Sequence, residues 1–136
     1  DMTLTVPAAT ENVITFGGYD NVTNAFYPKS GRGFTRENRI KPDMTAPAVN
    51  VYGPGISGGY TRRTGTSVAC ALGAGACAQI LQWGIVEDNE PYMKNNYIKN
   101  YLIRGAERNR DIRYPSEQWG YGTINVFDSF LILTRT

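Results

Sequence analysis

Residues 65–83 read GTSVACALGAGACAQILQW, and this stretch decides the fold of the chain. A Gly-Thr-Ser turn, Gly65–Ser67, precedes a run of small and apolar residues that is long enough for a helix. Because apolar residues fall on nearly every face of that helix, we expect it to be buried on all sides from Ser67 to about Trp83. A chain of 136 residues has few elements with which to surround a helix. The pattern therefore predicts that another segment supplies part of the surroundings.

Ser67 stands at the amino end of the predicted helix, where the helix dipole is positive. The first N–H groups of a helix have no intrahelical partner. When such a donor points at a developing oxyanion, it stabilises the transition state by about 3 kcal/mol. This arrangement suits acyl transfer with serine as the nucleophile. The alternative is that Thr66 or Ser67 is a simple helix N-cap, which is the more common role of an isolated Thr-Ser pair before a helix.

The composition excludes several classes of function. The net charge of +2 gives no reason to expect a nucleic acid or an anionic membrane as partner, and no unbroken apolar run approaches the roughly 18 residues of a membrane span. Because the chain contains no histidine, it cannot supply a histidine base or a histidine ligand by itself. Three acidic residues, Asp20, Asp43 and Asp111, are too scattered to form a calcium site. We expect neither a metal nor a cofactor.

Two cysteines, Cys70 and Cys77, fall within the same predicted helix. Seven helical residues separate their Cα atoms by about 10 Å, which is too far for a disulfide between them. We expect both to be buried structural thiols. No charged segment followed by an apolar core opens the chain, so no signal peptide is predicted, and the first residues are typical of a processed or excised piece.

Short elements are predicted on both sides of the helix. A β-branched and aromatic run, Val13–Tyr19, predicts a buried strand, whereas residues 21–45 are rich in turn formers. A second strand is predicted at Ala48–Tyr52, with Tyr60–Arg63 returning beside it as a hairpin.

A second helix is predicted to begin at Asp88–Pro91, where a capping residue precedes a proline, and to stop at Gly105. Its basic face, with Lys94, Lys99 and Arg104, should be solvated. A charged loop at 106–118, a glycine-punctuated strand at 119–126 and a closing helix or strand at 127–133 complete the pattern.

The segment Gly65–Gly75 resembles the Gly-Thr-Ser-Met-Ala-Ser-Pro-His-Val-Ala-Gly segment that surrounds the nucleophile of subtilisin-like serine proteases, the subtilases. Further segments resemble other blocks of that family in the same order along the chain. They are Glu11–Gly18, Ser30–Gly33 followed by Arg39–Pro47, and Trp119–Val126.

The resemblance implies an α/β fold, in which residues 1–136 form the C-terminal portion of a three-layer subtilase domain with a mostly parallel sheet and a buried central helix. It implies that Ser67 is the nucleophile, that Thr66 and Gly65 help the Ser67 N–H to hold the oxyanion, and that Thr5 lines the substrate pocket. For Thr5, an ordinary loop residue is the alternative. The catalytic Asp and His and the oxyanion Asn of the family fall upstream of residue 1.

Some positions depart from the family pattern. Val68 replaces a methionine, Ala71 and Leu72 replace Pro-His, and Ala48 stands where the family has glycine. These departures are similar to those of the clostridial germination-protease branch, some members of which are pseudoproteases.

The resemblance therefore implies a serine endopeptidase that acts on a polypeptide and needs the upstream segment as its partner, so that this chain alone is inactive. A pseudoprotease or binding module of the same fold is one alternative, and a free-standing small domain with an unrelated role is another. An extracellular or spore-associated location is favoured over the cytoplasm.

Overall fold

The computed structural model describes residues 2–135. Four short strands precede three helices, and a π-helical turn follows the first helix. In chain order the elements are β1 (Phe16–Tyr19), β2 (Met44–Pro47), β3 (Val51–Pro54), β4 (Tyr60–Arg63), α1 (Thr66–Leu81), the π-helical turn (Gln82–Val86), α2 (Asn95–Gly105) and α3 (Val126–Thr134).

The strands β1 and β2 form a parallel pair, with Phe16 opposite Met44 and Tyr19 opposite Pro47. The predicted strand at Val13–Tyr19 is confirmed, although its regular part begins only at Phe16. The prediction of turns throughout 21–45 was wrong at its end, since β2 begins at Met44. Residues 44–46 are fully buried, and this burial is what makes a short segment ending in proline a strand.

The hairpin is formed by β3 and β4, which pair antiparallel from Val51 opposite Arg63 to Pro54 opposite Tyr60. Its predicted second arm is therefore confirmed. The first arm begins later than predicted because Asn50 adopts a positive φ of 49°, which is incompatible with an extended strand at residues 48–50.

The helix α1 packs one face against β1 and β2, and the buried residues of that face recur at helical spacing: Ala69, Gly73, Ala76 and Ile80. The predicted helix is confirmed, but the prediction that it is buried on every side was wrong for the described residues. Leu72 remains 40% exposed and Leu81 37% exposed. The reason is that the β1–β2 pair covers a single face of α1.

The segment Thr66–Val86 is long and apolar enough to cross a membrane by length and composition, with a mean hydropathy of 1.4. Glycine and glutamine interrupt it, so it contains no unbroken apolar run of that length. The core helix of a folded domain can have the same length and composition, and within this segment α1 packs against β1 and β2.

The helix α2 begins at Asn95, which corrects the predicted start at Asp88–Pro91. Asp88 has a positive φ of 60°, and the Glu90 N–H donates to the Gly84 carbonyl, so residues 87–94 form a loop folded onto the end of the π-helical turn. Gly105 ends α2 as predicted and lies against Ser129 of α3, where a Cβ would overlap the α3 backbone.

The C-terminal segment contains no regular strand at 119–126, contrary to the prediction. Only isolated bridges occur in this part of the described chain, from Thr123 to Thr45 of β2 and to Glu107 and from Gly120 to Ser116. Gly120 and Gly122 have φ values of 55° and 125°, which interrupt extended structure. The predicted closing element is the helix α3, and Asn125 caps it by accepting a hydrogen bond from the Asp128 N–H at 3.0 Å.

The main apolar core lies where α1, β2, α2 and α3 meet. Its buried members are Met44, Ala76, Ile80, Met93, Ile98, Leu102 and Leu133.

A buried cluster of charges joins α2 to β2. The Asp43 carboxylate receives Lys41 Nζ at 2.8 Å on Oδ2 and Lys99 Nζ at 2.8 Å on Oδ1. The Lys41 and Asp43 side chains are each 2% exposed, and the Thr15 N–H also donates to Asp43 Oδ2 at 2.7 Å. Lys94 and Arg104 are exposed as predicted, but the predicted solvation of Lys99 was wrong because its ammonium group reaches this carboxylate.

We expect Gly73→Ala to destabilise the fold by about 1–3 kcal/mol, because the new Cβ would overlap the ring of Phe16. The matched control is Gly75→Ala in the same helix, where no atom lies within 4 Å of the added Cβ. In that variant the higher helix propensity of alanine should raise the free energy of unfolding by up to about 1 kcal/mol. Urea denaturation measures both changes, and equal effects of the two substitutions would contradict the described packing.

We expect Lys99→Met to lower the free energy of unfolding by about 1–3 kcal/mol, since it removes one of the two cations that neutralise a buried carboxylate. Lys94→Met, at an exposed position one turn earlier, should change it by less than about 0.5 kcal/mol. Thermal and urea unfolding of the two variants provide the measurement. Similar losses would show that Lys99 acts only as a surface charge.

Candidate active site

The turn before α1 is held by backbone hydrogen bonds from Ala48. The Gly65 N–H donates to the Ala48 carbonyl at 2.7 Å, and the Ala48 N–H donates to the Tyr19 carbonyl at 2.8 Å. Gly65 is the N-cap of α1 and has a φ of 150°, a conformation that side chains rarely allow. The carboxyl end of β1 therefore fixes where α1 begins.

Thr66 and Ser67 are the first residues of α1, and the Ser67 side chain is exposed. Gly65 is the N-cap residue, and within the described part of the chain no side chain caps this end of the helix, so the alternative in which Thr66 or Ser67 serves as a simple N-cap is wrong. Val68 N–H donates to the Gly65 carbonyl at 3.0 Å, whereas across residues 2–135 the N–H groups of Thr66 and Ser67 have no hydrogen-bond partner. An exposed hydroxyl and two free donors thus share the positive end of the helix dipole.

Thr66 packs closely against β1 because the residues at this contact are small. A Cβ placed on Gly18 would lie 3.6 Å from Thr66 Cγ2 and would overlap the side chain of Ala48, which is fully buried. A glycine at 18 is thus required for the close approach of β1, β2 and the first turn of α1. In the sequence Ala48 stands out only as a departure from the family pattern, and no local pattern predicts its role in positioning this turn.

Gly65, Thr66 and Ser67 lie together at the start of α1, whereas Thr5 is an exposed residue of the N-terminal loop. Among the described residues, no hydrogen bond or ring contact joins Thr5 to the Gly65–Ser67 turn. Its neighbour Thr3 is anchored instead to Arg32, donating N–H to the Arg32 carbonyl at 2.9 Å and accepting from the Arg32 N–H at 2.8 Å on its hydroxyl. The role of Thr5 stays a prediction.

The two thiols of α1 differ in their surroundings. Both are free, as predicted, but the prediction that both are buried was wrong for Cys70, which is exposed on the face that β1 and β2 leave open. Cys77 is half-buried, and burial raises its pKa. Cys70 lies one turn beyond Ser67 on the open side of the helix.

A sequence model of the subtilase family, Peptidase_S8, matches residues 1–122. The chain belongs to the subtilase family. This assignment confirms the α/β fold and the resemblance drawn from the Gly65–Gly75 segment. Among solved structures, the subtilase chain is similar to the Clostridium perfringens CspB protease with a TM-score of 0.94 and 37% identity over 98% of this chain. That neighbour is consistent with the resemblance to the clostridial branch of the family.

Curated subtilases are more distant. The human membrane-bound transcription factor site-1 protease is 31% identical in an alignment of 137 positions that covers 96% of this chain, and Bacillus subtilis serine protease AprX is 27% identical in an alignment of 147 positions that covers 93% of it. The chain spans 29% of the CspB chain, 12% of the site-1 protease and 31% of AprX.

We expect a maleimide reagent to modify Cys70 of the 136-residue chain faster than Cys77, because Cys70 is exposed while burial lowers the accessibility and the thiolate fraction of Cys77. Since the pKa of Cys77 is raised, its rate should keep increasing at pH values above its ordinary titration range. Peptide mass spectrometry of timed samples gives both rates, with Cys70→Ser and Cys77→Ser as matched controls. Faster modification of Cys77 would contradict the packing of α1.

Proposed function

We propose that these residues are part of a serine endopeptidase in which Ser67 attacks the carbonyl carbon of a peptide bond. The observation that carries the proposal is the exposed Ser67 hydroxyl at the amino end of α1, beside the free N–H groups of Thr66 and Ser67. The nucleophile and the oxyanion donors then come from one turn of one helix, with Gly65 as its N-cap. Membership of the subtilase family and its protease relatives support the same reaction class.

In the proposed reaction, the Ser67 oxygen forms a bond to the carbonyl carbon and loses its proton to a base. The negative charge on the carbonyl oxygen is stabilised by the Ser67 N–H, with help from Thr66. The C–N bond breaks when the base returns the proton to the leaving amine, and water then hydrolyses the acyl-enzyme. Because the chain has no histidine, we propose that an upstream segment of the domain supplies this His, its Asp partner and an oxyanion Asn.

The open face of α1 supports the proposal that an upstream segment packs against this chain. Beyond Leu72 and Leu81, the apolar side chains of Val86 and Phe127 are 77% and 72% exposed near the same end of the helix. Exposed apolar side chains grouped on and around one helix are typical of an interface. We propose that the segment covering it belongs to the same catalytic domain, and that this chain alone is inactive because the base is missing.

We expect a fluorophosphonate probe to label Ser67 when this chain is produced together with the upstream part of its domain. Ser67→Ala should abolish labelling and lower peptidase activity by at least about a thousandfold. The control is Ser57→Ala, which removes an exposed hydroxyl from the β3–β4 turn and should leave both unchanged. Mass spectrometry of the labelled peptide identifies the site.

The same experiment tests the alternative function. A folded protein that binds polypeptide but gives no label at Ser67 would indicate a pseudoprotease or binding module of the same fold.

Cys70 provides an independent check on the domain assignment, because its rate of modification by maleimide should fall when the upstream segment covers α1. Undiminished Cys70 reactivity in the longer protein would argue against that packing.

A further inference from the structure

A cavity of about 240 Å³ opens beside the carboxyl end of β1, on a part of the chain that the proposed reaction does not use. Aromatic side chains form much of its wall. The ring of Trp119, which is 8% exposed, lies 5.8 Å from that of Tyr19 and 5.8 Å from that of Phe26, measured between centroids. The residues that line the cavity are Tyr19, Asn24, Glu107, Arg108, Asn109, Ile112, Tyr114, Trp119 and Thr123.

The charge available in this cavity is negative. Among the described residues, the carboxylate of Glu107 has no ion-pair partner. Burial, and then the nearby Glu107 carboxylate, raise the pKa of the Tyr19 phenol, so Tyr19 stays neutral and keeps its hydroxyl proton. The carboxylate therefore acts on groups inside the cavity as well as on solvent.

The cation in the wall, Arg108, is already engaged elsewhere. Its guanidinium donates to the Ile103 carbonyl at 2.8 Å and to the Ala106 carbonyl at 3.4 Å. These carbonyls lie at the carboxyl end of α2, where the helix dipole is negative and a cation is stabilised. Arg108 thus directs its guanidinium at the end of α2, and across residues 2–135 it forms no ion pair with Glu107.

Two backbone hydrogen bonds hold Glu107, and they set the place from which its side chain extends beside the cavity. Its N–H donates to the Thr123 carbonyl at 2.8 Å and its carbonyl accepts from the Thr123 N–H at 2.9 Å. Tyr114 is likewise held, because its hydroxyl accepts from the Asn109 N–H at 3.0 Å. The protein's own hydrogen bonds therefore hold the Glu107 backbone and the Tyr114 ring at the cavity.

We propose that this cavity binds an alkylammonium group, with Glu107 as its counter-ion and the rings of Trp119, Tyr19 and Tyr114 as its walls. An ammonium group is attracted by the faces of aromatic rings within about 6 Å and forms a charge-assisted hydrogen bond with a carboxylate. An anion would meet the Glu107 charge, and a neutral aromatic ligand would leave that charge unpaired. This site is independent of Ser67 chemistry.

Isothermal titration calorimetry of the full-length protein tests the proposal with a matched pair of probes. N-acetyl-lysine amide should bind saturably, in the millimolar range expected for a few such contacts, while N-acetyl-norleucine amide, which lacks only the ammonium group, should not. Glu107→Gln preserves size and both backbone hydrogen bonds and should weaken binding of the lysine probe at least about tenfold. Glu117→Gln removes an exposed charge outside the cavity and should leave the affinity unchanged.

A third probe, butylamine, distinguishes the two sources of the same chemistry. Affinity equal to that of the lysine probe would identify free amines as the ligand class, and tighter binding of the lysine probe would identify a polypeptide side chain. The proposal is overturned if no probe binds saturably, if the norleucine probe binds equally well, or if Glu107→Gln and Glu117→Gln behave alike while both variants melt as the unmodified protein does.

Discussion

The backbone of Ala48 carries the constraint on which the site depends. Its N–H is bonded to the end of β1 and its carbonyl to Gly65, so the strand pair and the start of α1 cannot move independently of each other. Backbone hydrogen bonds of this kind persist whatever side chain occupies the position, provided that it is small enough for the gap beside Gly18. Ala48 meets that limit, which explains how a residue larger than the family's glycine is accommodated at a position where β1, β2 and α1 converge.

Small residues extend the same constraint along α1. Gly73 lies against the ring of Phe16, while Gly75, two residues later, faces open space. Close packing on one side and an open apolar surface on the other are the two halves of a central helix whose sheet covers only one face. The buried Lys41–Asp43–Lys99 cluster then fixes α2 to the same strand pair, since a carboxylate that is 2% exposed requires its cations in place.

Local patterns predicted what short-range physics determines. The composition of residues 65–83 was sufficient for α1, the glycines at 58 and 59 for the hairpin, and Gly105 for the end of α2. The patterns failed where a distant contact decides the outcome. Met44–Pro47 is a strand because it is buried. Lys99 forms an ion pair with Asp43, which lies 56 residues away in sequence, instead of pointing into solvent. At the candidate site, the Gly65–Ser67 turn was predictable from its motif, whereas the seating of that turn on Ala48 was not.

The Gly65–Ser67 turn and the aromatic cavity both lie at one end of β1, because successive residues of a strand face opposite sides. Gly18 faces Ala48 and Thr66, beside the Ser67 hydroxyl, and Tyr19 faces Trp119 in the cavity wall. The Tyr19 carbonyl nevertheless accepts the Ala48 hydrogen bond that positions α1. A shift of the Tyr19 backbone would therefore be felt at Gly65 through two hydrogen bonds, whereas a change confined to the Tyr19 ring would not. Because the backbone is shared while the side chains face opposite sides, one strand end supports both the Gly65–Ser67 turn and the aromatic cavity.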